Sequence, residues 1–423
     1  MGYRVIEQVV NAARRKLLVQ DFIPVYYPNL YVTFELSGKA LETTKKYLEH
    51  LAIFEDFLAF SSIDLISRLE QRPKSKYLTD SEISRFVSDA GFSKETLAKK
   101  YAGMRLHPTA YISVGKVHAK QRIEAVRDYL IFLYGKLGDH LTQHEAVDDV
   151  QRRFNRKIKA ASPGWKKKRI DEMKGLTTQE RTRLLEIMHP DSAENPFSDQ
   201  AIKLRNYIIL LLGLDMGLRR SEMLLIKICD IRWHSRQLQV VCLEDESIDP
   251  RTTAPQFKTH ERELVMPDDL YEAIGEYESK YRYRKPPKGS SQARKHPFLL
   301  VAHRRNEGKP MTIKALDGVL PRVGEVAPEL AHIHLHVLRH DAVYTMLESM
   351  RVELNVLTPE DRTTQVQKTL TWMFGWSDES NMPGLYGAKF WKEEADKAIQ
   401  KRAERFKSGR QKAEGGMKQG ELE

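Results

Sequence analysis

Apolar residues recur at spacings of three and four along much of the chain, which is the period of an amphipathic helix. The pattern is clearest over 41–60 and 123–137, where leucine, isoleucine, valine and phenylalanine gather on one helix face. Thr79, with Glu82 three residues later, is typical of a helix N-terminus. These segments predict a compact, all-α domain over residues 39–155.

The first 38 residues predict a basic helix followed by extended chain. Val9, Val10, Ala13 and Leu17 have helical spacing, whereas β-branched and aromatic residues crowd the following segment, 22–34. The pattern leaves open whether residues 1–38 form an extra arm or an extension that packs on the helical domain.

The pattern then predicts a second, mixed α/β domain over residues 176–406. Leu176-Thr-Thr-Gln-Glu marks a capped helix start, and two β-rich runs at 238–242 and 262–266 predict a hairpin with a long loop. Further helices are predicted over 201–217, 221–228, 270–281, 338–350, 364–374 and 388–406. Residues 407–423 are rich in glycine, lysine and glutamate, and we expect a disordered tail there.

Composition narrows the class of protein. The chain has 423 residues, of which 41% are hydrophobic and 30% charged, and this excludes a mostly disordered protein. Its longest apolar run, 207–214, is far shorter than the roughly 20 residues of a membrane-spanning helix. Two cysteines cannot build a disulfide framework and no signal peptide is recognisable, so we expect a reducing, cytoplasmic compartment.

The charge balance favours a polyanionic partner. Lysine and arginine number 69 against 58 acidic residues, a net charge of +11 that is typical of nucleic-acid-binding proteins. A basic linker, 156–175, is predicted between the two domains. It is either a solvated tether or a segment that follows a phosphate backbone, and its candidate contacts are Lys166, Lys167, Lys168 and Arg169.

Three short motifs of the second domain carry candidate chemistry. The first is Gly217-Leu-Arg-Arg-Ser-Glu, the second is His336-Val-Leu-Arg-His, and the third is Gly375-Trp-Ser, which Tyr386 follows. Lys258 stands between the first two motifs, just before the predicted strand 262–266. In this order the residues resemble the tyrosine recombinase, or phage integrase, family, whose set is Arg, Lys, His-x-x-Arg, His or Trp, and Tyr.

The resemblance implies a fold and an activity. It implies a multidomain chain, in which an all-α core-binding (SAM-like) domain precedes a mixed α/β tyrosine-recombinase catalytic domain. The implied activity is site-specific recombination of double-stranded DNA for a phage or mobile element, in the bacterial cytoplasm close to the nucleoid. A C-terminal helix over 388–406 that docks on a neighbouring subunit would make the active assembly a homotetramer; the alternative is that this helix packs on its own domain.

The resemblance also implies a role for each site residue. Arg219 and Arg339 would bind the non-bridging phosphate oxygens, and Trp376 would donate its indole N–H to a phosphate oxygen. Tyr386 would attack phosphorus and form a 3′-phosphotyrosine, with His336 as the base. Lys258 would protonate the leaving 5′ oxygen.

Several features of the sequence leave alternatives open. The gaps from Arg219 to Lys258 and from Arg339 to Tyr386 are long, and Tyr344 is a rival nucleophile. His332, His334 and His336 occupy alternate positions, as metal ligands on one face of a strand would. No carboxylate or cysteine accompanies them, so neither a metal nor another cofactor is expected.

A type IB topoisomerase and a non-catalytic DNA-binding protein remain the alternative functions.

The linker hypothesis predicts a measurable salt dependence of DNA binding. Each phosphate that a lysine neutralises contributes about −0.9 to the slope of log K against log[salt]. Replacing Lys166, Lys167 and Lys168 together by glutamine should therefore flatten the slope by up to about 2.7, three times 0.9. Filter binding of a non-specific duplex at several salt concentrations measures it, and an unchanged slope would remove the linker from the backbone.

Overall fold

The computed structural model describes residues 2–10, 13–70, 77–104, 107, 110–137, 143–161, 175–284 and 291–419. The chain divides into two compact units. Unit 1 is Met1–Lys167 with Asp245–Ser247, and unit 2 is Lys168–Glu244 with Ile248–Glu423. The candidate linker contacts Lys166 to Arg169 lie outside the described residues. No helix in the described part of the chain is long and apolar enough to cross a membrane.

Unit 1 combines a small antiparallel sheet with helices. The strands, in the order β1-β2-β3, are β1 Tyr3–Val10, β2 Ala13–Gln20 and β3 Ile23–Pro24. The helices are α1 Tyr26–Glu35, α2 Leu41–Phe60, α3 Leu65–Glu70, α4 Asp80–Asp89, α5 Lys94–Tyr101, α6 Lys116–Leu137 and α7 Gln143–Ala161. The predicted helix over 41–60 is confirmed, and Thr79 caps α4 by accepting a hydrogen bond from the Glu82 N–H at 3.2 Å.

The predicted order of elements over residues 1–38 is wrong. The opening segment is a hairpin in which Val5 pairs with Leu18 and Ile6 with Leu17, and the segment expected to be extended contains helix α1. The apolar pairs along this segment repeat about every four residues, which mimics a helix, but their β-branched side chains favour strands. Leu18, Tyr31 and Val32 belong to the apolar core of unit 1, so the segment packs on the helices as an extension.

The described part of unit 2 contains a second small sheet, ten α-helices and several short 3-10 or π-helical turns. The antiparallel strands are β4 Ile231–Arg232, β5 Gln237–Val240 and β6 Arg262–Val265, in that order. The helices are α8 Thr178–Met188, α9 Gln200–Leu214, α10 Arg220–Leu225, α11 Asp268–Glu276, α12 Ile313–Asp317, α13 Val319–Val326, α14 Leu335–Ser349, α15 Arg351–Asn355, α16 Pro359–Phe374 and α17 Met382–Gln419.

The predictions for unit 2 agree in element type and differ at the ends. The predicted hairpin is confirmed, because β5 pairs with β6 through Leu238 and Leu264. The last helix starts at Met382 rather than Ala388, so the candidate nucleophile lies inside its first turns. Helix α17 also runs to Gln419 and so includes most of the segment for which we expected disorder. Helix α7 ends at Ala161, within the predicted linker.

Helix α9 forms the centre of unit 2 and fixes α14, which carries the His336 motif. The side chains of α9 are almost all buried, and a Cβ on Gly213 would lie only 2.8 Å from Leu338 Cδ1 of α14. Asp341, also on α14, accepts a hydrogen bond from the Leu176 N–H at 2.9 Å and ion-pairs with Arg181 of α8. Packing and charge therefore set the position of α14 from two sides.

Gly217 lets the chain turn sharply between α9 and α10. Its φ of +58° is unfavourable for other residues, and a Cβ there would lie 2.3 Å from the ring of Phe374. No side chain fits this position unless α16 moves. The close approach of Gly217 to Phe374 therefore holds the start of α10 beside the end of α16.

Gly217→Ala should lower the free energy of unfolding of unit 2 by at least about 2 kcal/mol, because it adds backbone strain and a steric clash. Thermal unfolding of the full chain measures the loss. Gly384→Ala is the matched control, because a Cβ at this helical position meets nothing within 4 Å. Equal stability of the wild type and Gly217→Ala would contradict the packing described above.

Candidate active site

Arg219 is held at the start of α10 by the local sequence. The residue has an extended backbone with φ −72° and ψ 153°, and its N–H donates to Glu222 Oε2 at 2.8 Å. Glu222 is the third residue of the helix, where a carboxylate satisfies an unpaired N–H at the helix start. The spacing of Arg219 and Glu222 in the first motif is thus the spacing of a helix cap.

The carboxylate of Glu222 is the central acceptor of the site. It is 2% exposed and lies among three guanidinium groups, those of Arg262 (Nη2–Oε2 3.1 Å), Arg219 (Nη1–Oε1 3.7 Å) and Arg339 (Nη1–Oε2 3.9 Å). Thr259 Oγ1 donates to Oε1 at 2.5 Å. Burial alone raises the pKa of Glu222, but the charge and hydrogen bonds of Arg262, with Arg339 and Thr259, bring that pKa below its ordinary value.

The C-terminal end of α16 supplies further acceptors. Gly375 ends the helix with φ +59°, and this left-handed turn leaves the last carbonyl groups without helical partners. The Phe374 carbonyl accepts from Arg339 Nη2 at 2.8 Å and lies 3.4 Å from Arg219 Nη1, and the Met373 carbonyl accepts from Arg262 Nε at 2.8 Å. The negative end of the helix dipole therefore faces three arginines.

Arg339 is a buried cation of the cluster. It is 3% exposed, and Nη1 also donates to the Gly217 carbonyl at 2.6 Å. Burial, assisted by the charge of Arg219, lowers the pKa of Arg339 to about 9. The group is still cationic at neutral pH. Its cost of desolvation is met by fixed hydrogen bonds, so its position is set before any ligand arrives.

Tyr386 lies beside these cations. Its hydroxyl is hydrogen-bonded to Nδ1 of His340, and its ring stacks on Trp376 with centroids 5.6 Å apart and planes at 15°. Trp376 also lies 5.4 Å from the Arg339 guanidinium carbon. Burial raises the pKa of Tyr386, while the charges of Arg339 and Arg219 oppose this rise.

The structure refines two of the predicted roles. The residue in contact with the Tyr386 hydroxyl is His340, whereas we predicted His336 as the base. The two histidines are four residues apart on α14 and their ring centroids are 4.2 Å apart. Trp376, predicted to be a phosphate ligand, is 5% exposed and stacks on the nucleophile candidate.

An open pocket of about 480 Å³ lies against the cluster. Its lining includes Arg219, His336 and Arg339, with Arg220 and Ser221 at the start of α10. The pocket thus brings three predicted site residues to one surface. The described residues contain no group of histidine, cysteine or acidic side chains that could hold a metal ion. His334 precedes helix α14 and His336 lies within it, so the strand alternation considered for a metal site does not occur.

Lys258 is exposed and lies four residues before β6. The two residues after it are bonded to the cluster: Thr259 to Glu222, and His260 through its N–H to the Gly375 carbonyl at 3.1 Å. Tyr344, the rival nucleophile, packs against Phe390 with ring centroids 6.3 Å apart. The geometry therefore favours Tyr386 over Tyr344.

Comparison with known proteins identifies the segment that contains most of this cluster. Residues 174–356 match the sequence profile of the phage integrase family. The matched segment is somewhat less than half of the chain. The integrase segment includes Arg219, Lys258, His336 and Arg339, while Trp376 and Tyr386 lie beyond the matched residues.

Several solved structures of recombinases and integrases are similar to this chain. The Tn1549 transposon integrase in complex with transposon right end DNA has 14% identity and a TM-score of 0.49, over 89% of this chain and 100% of that one. The XerH recombinase bound to difH has 15% identity and a TM-score of 0.47, over 84% and 79%. The XerA recombinase has 16% identity and a TM-score of 0.34, over 85% and 92%. No curated protein sequence matches the chain.

Sequence reasoning gave no role to Glu222, Arg262 and His340. Arg262 and Leu264 alternate along β6, and Met266 continues this pattern just after it. The pattern puts Arg262 on the buried face of the strand, where a cation needs an acidic partner. The position of Glu222, three residues after Arg219, could have predicted its role in capping helix α10. His340 shares a helix face with His336, and spacing alone does not choose between the two.

Glu222→Gln should destabilise unit 2 by about 3 to 5 kcal/mol at pH 7, because it leaves Arg262 and Arg339 without a counter-charge. The folded pKa of Glu222 lies below its ordinary 4.5, so the carboxylate stabilises the wild type above that pH and loses this effect as the pH falls through the folded pKa. The difference between wild type and variant should therefore shrink at acid pH.

Urea unfolding at pH 7 and at pH 4 measures both effects. Glu272→Gln is the control, because Glu272 is an exposed residue of α11. A constant difference between the wild type and Glu222→Gln across this pH range would contradict an ionised Glu222.

Proposed function

We propose that this chain is a site-specific recombinase that cuts and rejoins double-stranded DNA through a phosphotyrosine at Tyr386. One observation carries the proposal: Tyr386 lies within the electrostatic field of Arg219 and Arg339, hydrogen-bonded to His340. The hydroxyl, its hydrogen-bond partner and two guanidinium groups are the parts that an in-line attack on a phosphodiester requires.

The arginines bind and polarise the phosphodiester. Arg219, Arg262 and Arg339 carry three positive charges against the single negative charge of Glu222, so the cluster retains an excess that a phosphate can neutralise. Arg219 is partly exposed to the pocket, and Arg339 lines it from below the surface. Their fixed positions stabilise the negative charge that grows on the non-bridging oxygens during attack.

His340 takes the proton of the nucleophile. The pKa of Tyr386 is raised by burial, so its hydroxyl is protonated at neutral pH and needs an acceptor at the moment of attack. Nδ1 of His340 accepts that proton when its ring carries hydrogen on Nε2. His336 is next to His340 and lines the pocket, which supports a contact with the phosphate as its role.

Cleavage conserves the energy of the phosphodiester. The bond between Tyr386 Oη and phosphorus forms while the bond from phosphorus to the 5′ oxygen breaks, and Lys258 gives that oxygen a proton. The products are a 3′-phosphotyrosine and a free 5′-hydroxyl. A 5′-hydroxyl of another strand reverses the step, so strand exchange consumes no ATP. Arg219 and Arg339 supply the charge stabilisation, and the proposal assigns no step to a metal.

The proposal extends to DNA contacts outside the active site and to assembly with other subunits. Unit 1 is the core-binding half, and the candidate contacts to the DNA backbone are Lys166, Lys167, Lys168 and Arg169. Helix α17 exposes Ile399 and Phe406, at 65% and 62% of their surface, and such an apolar side is suited to a neighbouring subunit of a homotetramer on DNA. The recombinase serves a phage or another mobile element in the bacterial cytoplasm.

Tyr386→Phe should abolish covalent adduct formation while leaving folding and DNA affinity unchanged, because it removes only the attacking oxygen. A random-sequence duplex library, in which captured adducts are sequenced, first maps the cleavage site of the wild type. A duplex of that sequence, nicked so that the short 5′-hydroxyl strand escapes, then traps the adduct on a denaturing gel. Peptide mapping should place the nucleotide on residues 382–389.

Tyr344→Phe is the matched control, because it removes the same oxygen from a neighbouring tyrosine of unit 2 and should leave the adduct intact. An adduct that persists in Tyr386→Phe would overturn the assignment of the nucleophile. Specific binding by the wild type without any adduct would favour a non-catalytic DNA-binding protein, and relaxation of supercoils without exchange would favour a topoisomerase.

A further inference from the structure

We propose that Thr259 is a positioning residue for Lys258, and that it works by tying the lysine-bearing segment to Glu222. The inference rests on the proposed function, because it presumes that Lys258 protonates the leaving oxygen. Lys258 is exposed and lies on an irregular segment before β6, so its position relative to Glu222 and the arginines depends on how that segment is held. Three contacts carry it.

The first contact is the hydrogen bond from Thr259 Oγ1 to Glu222 Oε1, at 2.5 Å. Glu222 starts α10 together with Arg219, so this bond joins the residue next to Lys258 to the helix that carries Arg219. A bond to a buried, ionised carboxylate is stronger than one between neutral groups. It fixes the backbone at Thr259 and therefore the origin of the Lys258 side chain.

The second and third contacts tie the same segment to the end of α16. The His260 N–H donates to the Gly375 carbonyl at 3.1 Å. A Cβ on Gly375 would lie 3.0 Å from the Thr259 Cβ, so the threonine packs directly against this glycine. Gly375 precedes Trp376, which stacks on Tyr386. The segment is thus held between the helix of Arg219 and the turn that leads to the nucleophile.

Glu222 has enough acceptor capacity for this arrangement. Oε1 accepts a hydrogen bond from Thr259 Oγ1 and lies 3.3 Å from Arg262 Nη1. Oε2 accepts hydrogen bonds from the Arg219 N–H and from Arg262 Nη2. Loss of the Thr259 hydroxyl leaves the carboxylate paired with Arg262. Thr259→Val should therefore keep the cluster and the fold intact and should release only the segment that bears Lys258.

The experiment compares two substrates of the mapped sequence, one with the normal phosphodiester and one with a 5′-bridging phosphorothiolate. Sulfur leaves without a proton, so the second substrate does not need the acid. Thr259→Val should slow cleavage of the phosphodiester roughly 10- to 100-fold, the cost of misplacing a reacting group by about 1 Å. It should cleave the phosphorothiolate at close to the wild-type rate.

Two further variants make the test specific. Thr259→Ser keeps the hydroxyl and should restore most of the phosphodiester rate. Lys258→Ala should show the same substrate pattern as Thr259→Val, with a larger defect on the phosphodiester. Thermal unfolding of Thr259→Val, expected to match that of the wild type, separates a local effect from a loss of fold.

The outcomes distinguish the inference from the function on which it rests. Equal defects of Thr259→Val on both substrates, or no defect, overturn the inference while rescue of Lys258→Ala upholds the acid role. Failure of the phosphorothiolate to rescue Lys258→Ala removes Lys258 from the acid role, and the inference falls with it. Absence of any wild-type adduct rejects the proposed function itself.

Discussion

The site depends on one buried carboxylate that neutralises part of a dense cluster of positive charge. Three guanidinium groups repel one another at close range, and desolvation makes each of them costly to bury. Glu222 offsets this cost for Arg262 and Arg339 and caps the helix that begins after Arg219. The carbonyl groups at the end of α16 supply the remaining acceptors. Without the carboxylate, mutual repulsion and desolvation would oppose the burial of these arginines in one cluster.

The same charge balance explains why the site is ready for an anion. The protein provides one carboxylate for three arginines, so its own acceptors do not neutralise the cluster. Helix dipole and carbonyl groups hold the cations in place without cancelling their charge. A phosphodiester that enters the pocket finds oriented donors and loses little to reorganisation. The binding of DNA and the stability of the empty site are therefore opposing demands on the same residues.

The sequence predicted the parts of the molecule that follow a local rule. Helix α2 has a continuous apolar stripe and Thr177 starts a capping box, so both could be predicted from spacing alone. The opening hairpin could not, because pairs such as Val5 and Ile6 repeat every four residues and satisfy the helical period as well. The roles of Arg262 and His340 depend on contacts with residues more than 35 positions away, at Glu222 and Tyr386. No local pattern encodes these contacts.

The turn at Gly217 and its contact with Phe374 have a consequence for the order of events during synthesis. The two residues are separated by more than a hundred positions, and Arg339 bonds to carbonyls on both sides of the contact. A nascent chain that ends before α16 has the three arginines and Glu222 but lacks the Met373 and Phe374 carbonyl groups that accept hydrogen bonds from them. Contacts of such long range form late in folding. The cluster can therefore be complete only after almost the whole of unit 2 has been synthesised.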